Sequence, residues 1–270
     1  MLKFSKKPEM IAGGCSFTDA NWQSDIDPHL CHDFPKWPSV LADHLGVTFT
    51  NLGRSGIGNI EISNRILDEL EQNDNVKYVF ALWSSYDRFC TGKYNHVPIA
   101  VLFKQIGVKP YTNFFERIER DPEKKRLLNS LYDKLLNQWW SWERAYDDNH
   151  RAMYMVQKEC ERRNIKYIFM QGPDPWAAGA AHNLIEAGML DVKIWTPRLL
   201  YKAMDSIYYD KIREENFIDF PGLVELGGNS VSRHQEFFDK YRFSEKDGHP
   251  NKEGHQYIAR LFMERYNENY

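Results

Sequence analysis

Apolar and polar positions follow one another along this chain in the order expected of alternating strands and helices. Nearly continuous apolar runs at residues 10–12, 76–83 and 165–170 predict strands that are covered on both faces. Apolar residues at helical spacing predict helices at residues 37–45 and 59–71. Strand, glycine loop and helix thus occur twice in the first third of the chain, which is typical of βαβ crossovers and a parallel sheet.

Two weaker strands and a last helix complete the predicted set of elements. Residues 47–51 alternate like a half-buried strand, and residues 217–220 form a short apolar run that ends at a Pro-Gly pair. After residue 251, Ile258, Leu261 and Phe262 recur at helical spacing. The predicted fold class is α/β, a three-layer α/β/α sandwich with a parallel sheet of about five strands.

The middle of the chain is longer than a crossover requires and is rich in aromatic residues. Trp139, Trp140, Trp142 and Tyr146 are suited to stacking on a sugar or to forming a lid. Alternatively, most of them belong to the buried stripe of one long helix, which we favour, with Trp140 outside the stripe. That stripe would comprise Trp139, Trp142, Tyr146, Met153, Val156 and Cys160. We interpret residues 1–270 as a single domain with helical and aromatic insertions at about 90–150 and 173–243.

Composition and charge limit the classes of partner. The 270 residues are 42% hydrophobic, enough for one large core, and the net charge of −3 gives no basic footprint for nucleic acid. No run approaches the roughly 20 apolar residues of a membrane span, and the first residues lack the apolar segment of a signal peptide. Four cysteines without a Cys-x-x-Cys pair suggest reduced thiols. We therefore expect a cytoplasmic protein that binds neither nucleic acid nor membrane, and its oligomeric state stays open.

The strongest candidate for chemistry is Ser16, which follows the first predicted strand. Gly13 and Gly14 permit the sharp backbone turn that would present Ser16 at the carboxyl end of that strand, where open α/β sheets bind ligands. The same pattern also begins helices that a serine caps. Asp247 and His249 lie in a polar loop before the last helix. They are suited to supply a base for the serine and a carboxylate for that base.

Two other groups of polar residues have simpler explanations. The polar, aromatic loop at residues 19–36 holds five possible metal ligands: Asp27, His29, Cys31, His32 and Asp33. The mixture of ligand types is explained equally well by a surface loop, so we expect no metal site. His255 competes with His249 but stands at the start of a helix, where we expect capping or packing rather than catalysis.

Three segments resemble, in the correct order, sequence blocks of the SGNH (GDSL-like) hydrolase superfamily. Residues 14–18 are similar to its first block, residues 51–59 to its second and residues 247–255 to its last. The resemblance implies a flavodoxin-like strand order of 2-1-3-4-5. It also implies that Ser16 is the nucleophile and His249 the base, oriented by Asp247, and that the backbone N–H groups of Ser16 and Gly56 bind the oxyanion.

The chain departs from the family pattern in its third and last blocks. The third block normally reads Gly-x-Asn-Asp, whereas Ser84 and Ser85 follow the third strand in this chain, so either serine is a candidate for the missing oxyanion donor. The last block normally reads Asp-x-x-His, and Lys246 stands at that acid position. These departures resemble those of divergent, phage-type members of the superfamily.

The resemblance implies a serine-dependent ester hydrolase, an esterase or carbohydrate deacetylase, acting on a small ester or an acylated carbohydrate without a cofactor. Transfer to a sugar hydroxyl instead of water would make the same site an O-acyltransferase. The altered blocks support an alternative of another class: a catalytically weak or inactive member of this fold that serves as a binding or virion-associated protein.

Overall fold

A computed structural model describes residues 7–86, 88–90, 96–98, 142–173, 204–218 and 230–270. The strands of this part of the chain are β1 (Glu9–Gly14), β2 (Thr48–Asn51), β3 (Val76–Trp83), β4 (Arg88–Cys90), β5 (His96–Pro98), β6 (Lys166–Gln171) and β7 (Phe217–Ile218). Its α-helices are α1 (Trp37–Leu45), α2 (Asn59–Gln72), α3 (Trp142–Arg162) and α4 (Lys252–Asn269). Short 3-10 helices lie at Tyr209–Lys211, Glu214–Asn216 and Val231–Arg233, and a π-helical turn lies at Phe237–Tyr241.

Five of these strands form one parallel sheet in the order β2-β1-β3-β6-β7, and β4 pairs with β5 in a separate antiparallel hairpin. Numbered along the chain within the sheet, the order is 2-1-3-4-5, so the predicted fold class and strand order are confirmed. The register pairs Gly14 of β1 with Leu82 of β3, and Trp83 of β3 with Gln171 of β6. The carboxyl ends of these three strands therefore meet at one edge of the sheet.

Helices cover both faces of the sheet. On one face, Phe80 packs edge-on against Phe262 of α4 with ring centroids 5.4 Å apart, and Trp37 of α1 packs against the same ring. On the other face, α2 approaches β1 so closely that a Cβ at Gly13 would lie 2.5 Å from Cδ1 of Ile66. The missing side chain at Gly13 thus lets α2 pack directly on the strand that leads to the site.

Most element boundaries agree with the sequence prediction to within one residue. Helix α1 ends where Gly46 takes up the left-handed conformation, with φ of 66°. Strand β2 begins at Thr48 instead of residue 47, β6 is shifted one residue later, and β7 is described only for Phe217 and Ile218. The β4–β5 hairpin was not predicted, because it lies inside the segment interpreted as an insertion.

The long-helix interpretation of the aromatic segment is confirmed for the residues that the structure describes. Four predicted stripe residues of α3 are fully buried: Tyr146, Met153, Val156 and Cys160. Trp139 and Trp140 lie outside the described residues, as does the side chain of Trp142. Most of the two predicted insertions also lies outside them, so the single-domain interpretation stays a prediction. No helix in the described ranges has the length and apolarity needed to cross a bilayer.

Candidate active site

Ser16 occupies a tight turn directly after β1. The N–H groups of Thr18 and Asp19 both donate to the carbonyl oxygen of Cys15, at 2.9 and 3.0 Å. Ser16 and Phe17 are consequently the central residues of the turn, and the Ser16 side chain stands at the carboxyl edge of the sheet as the sequence predicts. Ser16 is 7% exposed, which places its hydroxyl at the base of the site and not on an open surface.

Two glycines are required by the way this turn packs. A Cβ at Gly14 would lie 2.0 Å from Oγ1 of Thr18, and a Cβ at Gly53 would lie 2.5 Å from the Thr18 backbone carbon. Thr18 itself is buried and accepts a hydrogen bond from Nε1 of Trp37 at 3.2 Å. The glycines at these positions therefore allow the loops after β1 and β2 to touch, with Thr18 between them.

Side-chain hydrogen bonds join the same two loops. Asn51 donates from Nδ2 to the Thr18 carbonyl at 2.8 Å, while its Oδ1 accepts from the Gly53 N–H. Oδ2 of Asp19 accepts from the N–H and the hydroxyl of Ser55, at 2.8 and 2.7 Å. Asp19 and Ser55 were not among the predicted site residues, since isolated polar residues in loops show no pattern that identifies their partners.

Ser16, His249 and Asp247 form a continuous chain of hydrogen bonds. Nε2 of His249 lies 2.8 Å from Oγ of Ser16, and Nδ1 of His249 lies 2.6 Å from Oδ1 of Asp247. A carboxylate only accepts hydrogen bonds, so Nδ1 carries the proton in the neutral ring and Nε2 keeps a lone pair for the serine hydroxyl. This arrangement allows His249 to accept the Ser16 proton.

Asp247 is ionised at neutral pH. Burial to 3% exposure raises the pKa of this carboxyl, but hydrogen bonds from His249 and from the Ser24 hydroxyl outweigh burial and lower its pKa to about 2. The Ser24 hydroxyl donates to Oδ2 of Asp247 at 2.5 Å. Ser24 is a site residue that the sequence prediction missed.

Aromatic rings surround the imidazole of His249. Trp22 stacks on it with ring centroids 4.4 Å apart and an angle of 26° between the planes, and Phe17 lies 5.3 Å away at a tilted angle. Phe243 in turn packs edge-on against Trp22. The loop at residues 19–36 therefore supplies one wall of the site, and 29% of the His249 side chain stays exposed for access.

The N–H groups of Ser16 and Gly56 and the hydroxyls of Ser84 and Ser85, the predicted oxyanion donors, donate to none of the described residues of the sheet and its loops. Gly56 is exposed with φ of 83°, and neither its N–H nor that of Ser16 donates to another described residue. Ser84 is fully buried, and its hydroxyl has no hydrogen-bond partner among the described residues. Ser85 is 7% exposed, and no hydrogen bond joins its hydroxyl to the described parts of the chain. None of the three predicted donors Gly56, Ser84 and Ser85 is hydrogen-bonded to Ser16 or His249.

The backbone of Ser84, in contrast to its hydroxyl, is held on both sides. Asn59 accepts from the Ser84 N–H at 2.6 Å and donates to its carbonyl oxygen at 2.9 Å. Gln171 donates from Nε2 to the same carbonyl at 2.9 Å. Asn59 begins α2 and Gln171 ends β6, so the end of β3 is fixed between two neighbouring elements.

His255 and His32, one of the loop residues considered as metal ligands, have structural partners. His255 is 1% exposed, and its Nδ1 accepts the N–H of Trp37, the first residue of α1, at 3.2 Å. Burial, followed by the positive charge of Lys36, lowers the pKa of His255 to about 3. Nε2 of His32 accepts the Ser24 N–H. Within the described residues, no three His, Cys, Asp or Glu side chains are grouped to hold a metal ion.

Comparisons with known proteins find similarity in structure only. The sequence matches no protein-family model, and it matches no curated protein. A protein described as lipolytic and of the G-D-S-L family, from Desulfitobacterium hafniense DCB-2, is 13% identical over 94% of this chain and 98% of its own, with a TM-score of 0.39.

Two further structures are similar at the same level. LAE5, an alpha/beta hydrolase enzyme from the metagenome of Lake Arreo, Spain, is 14% identical over 97% of this chain and 96% of its own, with a TM-score of 0.45. A serine-to-alanine mutant of esterase AlinE4 is 12% identical over 98% of both chains, with a TM-score of 0.32. These structures include the class that the sequence blocks resemble, but likenesses at such TM-scores say nothing about the activity of this chain.

Proposed function

We propose that this protein is a serine-dependent ester hydrolase with Ser16 as nucleophile, His249 as general base and Asp247 as the orienting carboxylate. The observation that carries the proposal is the unbroken hydrogen-bond chain from Ser16 Oγ through the His249 ring to Asp247. A serine hydroxyl is a weak nucleophile unless a base within hydrogen-bond reach removes its proton. The 2.8 Å separation of Ser16 Oγ and His249 Nε2 satisfies that requirement.

The reaction proceeds in two halves. In the first, Ser16 Oγ attacks the ester carbonyl while His249 Nε2 takes its proton, and the same proton then passes to the departing alcohol as the ester C–O bond breaks. In the second, water attacks the acyl-serine, His249 takes a proton from the water, and that proton returns to Ser16 Oγ as the acid leaves. Ionised Asp247 stabilises the imidazolium in both halves, and the face of Trp22 also attracts its positive charge.

The oxyanion of each tetrahedral intermediate would be bound by the N–H groups of Ser16 and Gly56. Neither group donates to another residue that the structure describes, and an exposed left-handed glycine places its N–H without a side chain in the way. We assign the third donor to Ser85 instead of Ser84, because a donor has to be reached by substrate and the Ser84 hydroxyl is fully buried. The substrate we propose is a small ester or an acylated carbohydrate, with no cofactor required.

Covalent labelling with a fluorophosphonate probe tests the proposal, together with hydrolysis of short-chain nitrophenyl esters. Wild type should be labelled, and Ser16→Ala should lose both labelling and turnover. His249→Ala should lower kcat by at least about 10³-fold while the protein stays folded, because His249 lies in a partly exposed loop. Ser39→Ala is a matched control, since Ser39 is a half-buried serine of α1 whose hydroxyl makes no hydrogen bond to the described part of the chain.

Two results would contradict the proposal. Folded wild type that neither labels nor hydrolyses any ester would favour the binding-protein alternative. Near wild-type activity in His249→Ala would show that another group serves as base.

A further inference from the structure

A Ser-x-x-Asp sequence occurs twice at the site, once in each of two loops. Ser24 and Asp27 stand in the loop at residues 19–36, and Ser244 and Asp247 stand in the loop before α4. Each serine hydroxyl accepts N–H groups from its own loop. Ser24 Oγ accepts from residues 26 and 27 at 3.2 and 2.9 Å, and Ser244 Oγ accepts from residues 246 and 247 at 3.1 and 3.0 Å.

The two motifs exchange hydrogen bonds with each other. The Ser24 hydroxyl donates to Oδ2 of Asp247 at 2.5 Å, and the Ser244 hydroxyl donates to Oδ2 of Asp27. The acceptor capacity of each hydroxyl is filled by its own two N–H groups, so its single proton is directed at the opposite carboxylate. We call this arrangement of Ser24, Asp27, Ser244 and Asp247 the reciprocal clasp.

The two halves of the clasp differ in burial and in what their carboxylates reach. Asp247 is buried and its other oxygen, Oδ1, lies 2.6 Å from His249 Nδ1, whereas Asp27 is only half-buried. A carboxylate rotates broadly about its last side-chain bond unless both oxygens are held. On Asp247, Ser24 holds one oxygen and His249 the other.

Ser24 is itself held by residues of the same loop. Its N–H donates to Nε2 of His32 at 2.9 Å, and it is nearly fully buried. Trp22, two residues earlier, stacks on the His249 ring. The loop at residues 19–36 therefore contacts both the imidazole and the carboxylate that orients it.

We propose that Ser24 is a positioning residue that holds the Asp247 carboxylate in the orientation in which Oδ1 faces His249 Nδ1. This inference rests on the proposed function of Ser16, His249 and Asp247 and extends their chain to a fourth member. The Ser24 hydroxyl also shares the negative charge of Asp247. Without the Ser24 hydroxyl, the Asp247 carboxylate attracts the protonated imidazole of His249 more strongly. The carboxylate also loses the contact that fixes its rotation.

Steady-state kinetics of Ser24→Ala against the matched variant Asp27→Ala provide the first test. Asp27→Ala breaks the other half of the clasp without touching the Asp247 carboxylate. Ser24→Ala should lower kcat about tenfold with little change in KM, and should move the acid limb of the kcat/KM profile to higher pH. Asp27→Ala should leave kcat and the acid limb unchanged. Equal effects in both variants would reduce Ser24 to a general support of the loop and overturn the proposal.

NMR titration of the His249 ring provides a second test that needs no turnover. The histidine signal is assigned by its loss in His249→Ala, and the titration midpoint should move upward in Ser24→Ala but not in Asp27→Ala. An unchanged midpoint in folded Ser24→Ala overturns the inference. If wild type hydrolyses no ester, the proposed function fails separately, and the titration still decides whether Ser24 acts on His249 through Asp247.

A second pair of variants distinguishes the effect of the Ser24 hydroxyl on the site from any effect of the substitution on folding. Ser24→Thr keeps the hydroxyl. Ser24→Val has nearly the same shape as Ser24→Thr, but a methyl group replaces the hydroxyl. Threonine should restore the wild-type acid limb and most of kcat, and valine should behave like alanine. If threonine and valine give the same acid limb, the hydroxyl does not position Asp247 and the proposal is wrong.

Discussion

At the scale of single residues, the site contains a buried hydroxyl that bonds to none of the described residues. Ser84 Oγ is fully buried and has no partner among the described residues, although Asn59 and Gln171 hold the backbone of the same residue. Burial of a hydroxyl without a hydrogen bond costs about 1–3 kcal/mol in proteins. Serines at strand ends often bond to nearby backbone, and neither Ser84 nor Ser85 does so through its hydroxyl within the described residues.

Alanine substitution at each serine distinguishes their roles. Ser85→Ala should lower kcat by about 10- to 1000-fold with little change in KM, because an oxyanion donor acts only in the transition state. Ser84→Ala should leave kcat near wild type and leave stability unchanged or slightly higher, since the hydroxyl it removes has no hydrogen-bond partner among the described residues. Nitrophenyl ester kinetics and urea unfolding measure both. Negligible effects at both positions in an enzyme that still labels at Ser16 would leave the oxyanion to the backbone donors alone.

At the scale of elements, the site depends on loops that touch each other after β1 and β2. Thr18 fills the space that side chains at Gly14 and Gly53 would occupy, and Asn51 and Asp19 add hydrogen bonds between the loops. The turn that carries Ser16 is therefore supported by the second loop. The resemblance assigned that second loop an oxyanion donor, and the structure shows that it is also a packing surface.

Alanine at Gly53 tests this packing. Its Cβ would lie 2.5 Å from the Thr18 backbone carbon and 2.7 Å from the Asp19 nitrogen, and backbone atoms cannot rotate away as a side chain would. Gly53→Ala should lower the free energy of unfolding by about 2 kcal/mol or more and reduce fluorophosphonate labelling. Gly248→Ala is the matched control for stability, because nothing lies within 4 Å of its Cβ position. Equal stability of the two variants, measured by urea unfolding, would contradict the packing role.

At the scale of the whole molecule, buried titratable groups make stability depend on pH. Burial lowers the pKa of His150 to about 3. Burial and the charge of Lys36 lower the pKa of His255 to about 3 as well. Both residues are fully buried or nearly so, and their rings are neutral in the folded protein at pH 7. A histidine with a lowered folded pKa binds its proton first in the unfolded chain, so acid favours unfolding.

We expect the free energy of unfolding to fall as pH decreases from about 6.5 to 3. His255 alone should contribute a loss of about 3 kcal/mol between pH 7 and pH 4, since the ordinary pKa of 6.5 applies to the unfolded chain. His255→Asn keeps an acceptor for the Trp37 N–H but cannot titrate, so its urea midpoint should depend less on pH. His29→Asn, in an exposed loop, is the control. Parallel pH profiles of wild type and His255→Asn would contradict the assignment.

The amino-acid sequence by itself determined the order of the elements, and it indicated Ser16 and His249 as the nucleophile and base that we propose. Buried strands and amphipathic helices leave a periodic trace along the chain, so β3 was predicted at its observed bounds and α1 ended at Gly46 as expected. Ser16 was identified because a strand that ends in two glycines places the residues after it at the sheet edge, and because residues 14–18 resemble the first block of the SGNH superfamily. The inferences about elements depend on residues that are close in sequence, where local sterics and periodicity act, whereas the roles of Ser16 and His249 depend on the resemblance of whole blocks.

Only the tertiary structure decided which distant polar groups meet. Ser24 and Asp247 are 223 positions apart, Ser244 and Asp27 are 217 apart, and His255 binds the N–H of Trp37 across 218 positions. Their residue types are common in loops, and nothing in their local sequence names a partner. A hydrogen bond requires a donor and an acceptor within about 3 Å of each other. Loops from distant parts of the chain come that close because the order of the strands in the sheet places them side by side at its carboxyl edge.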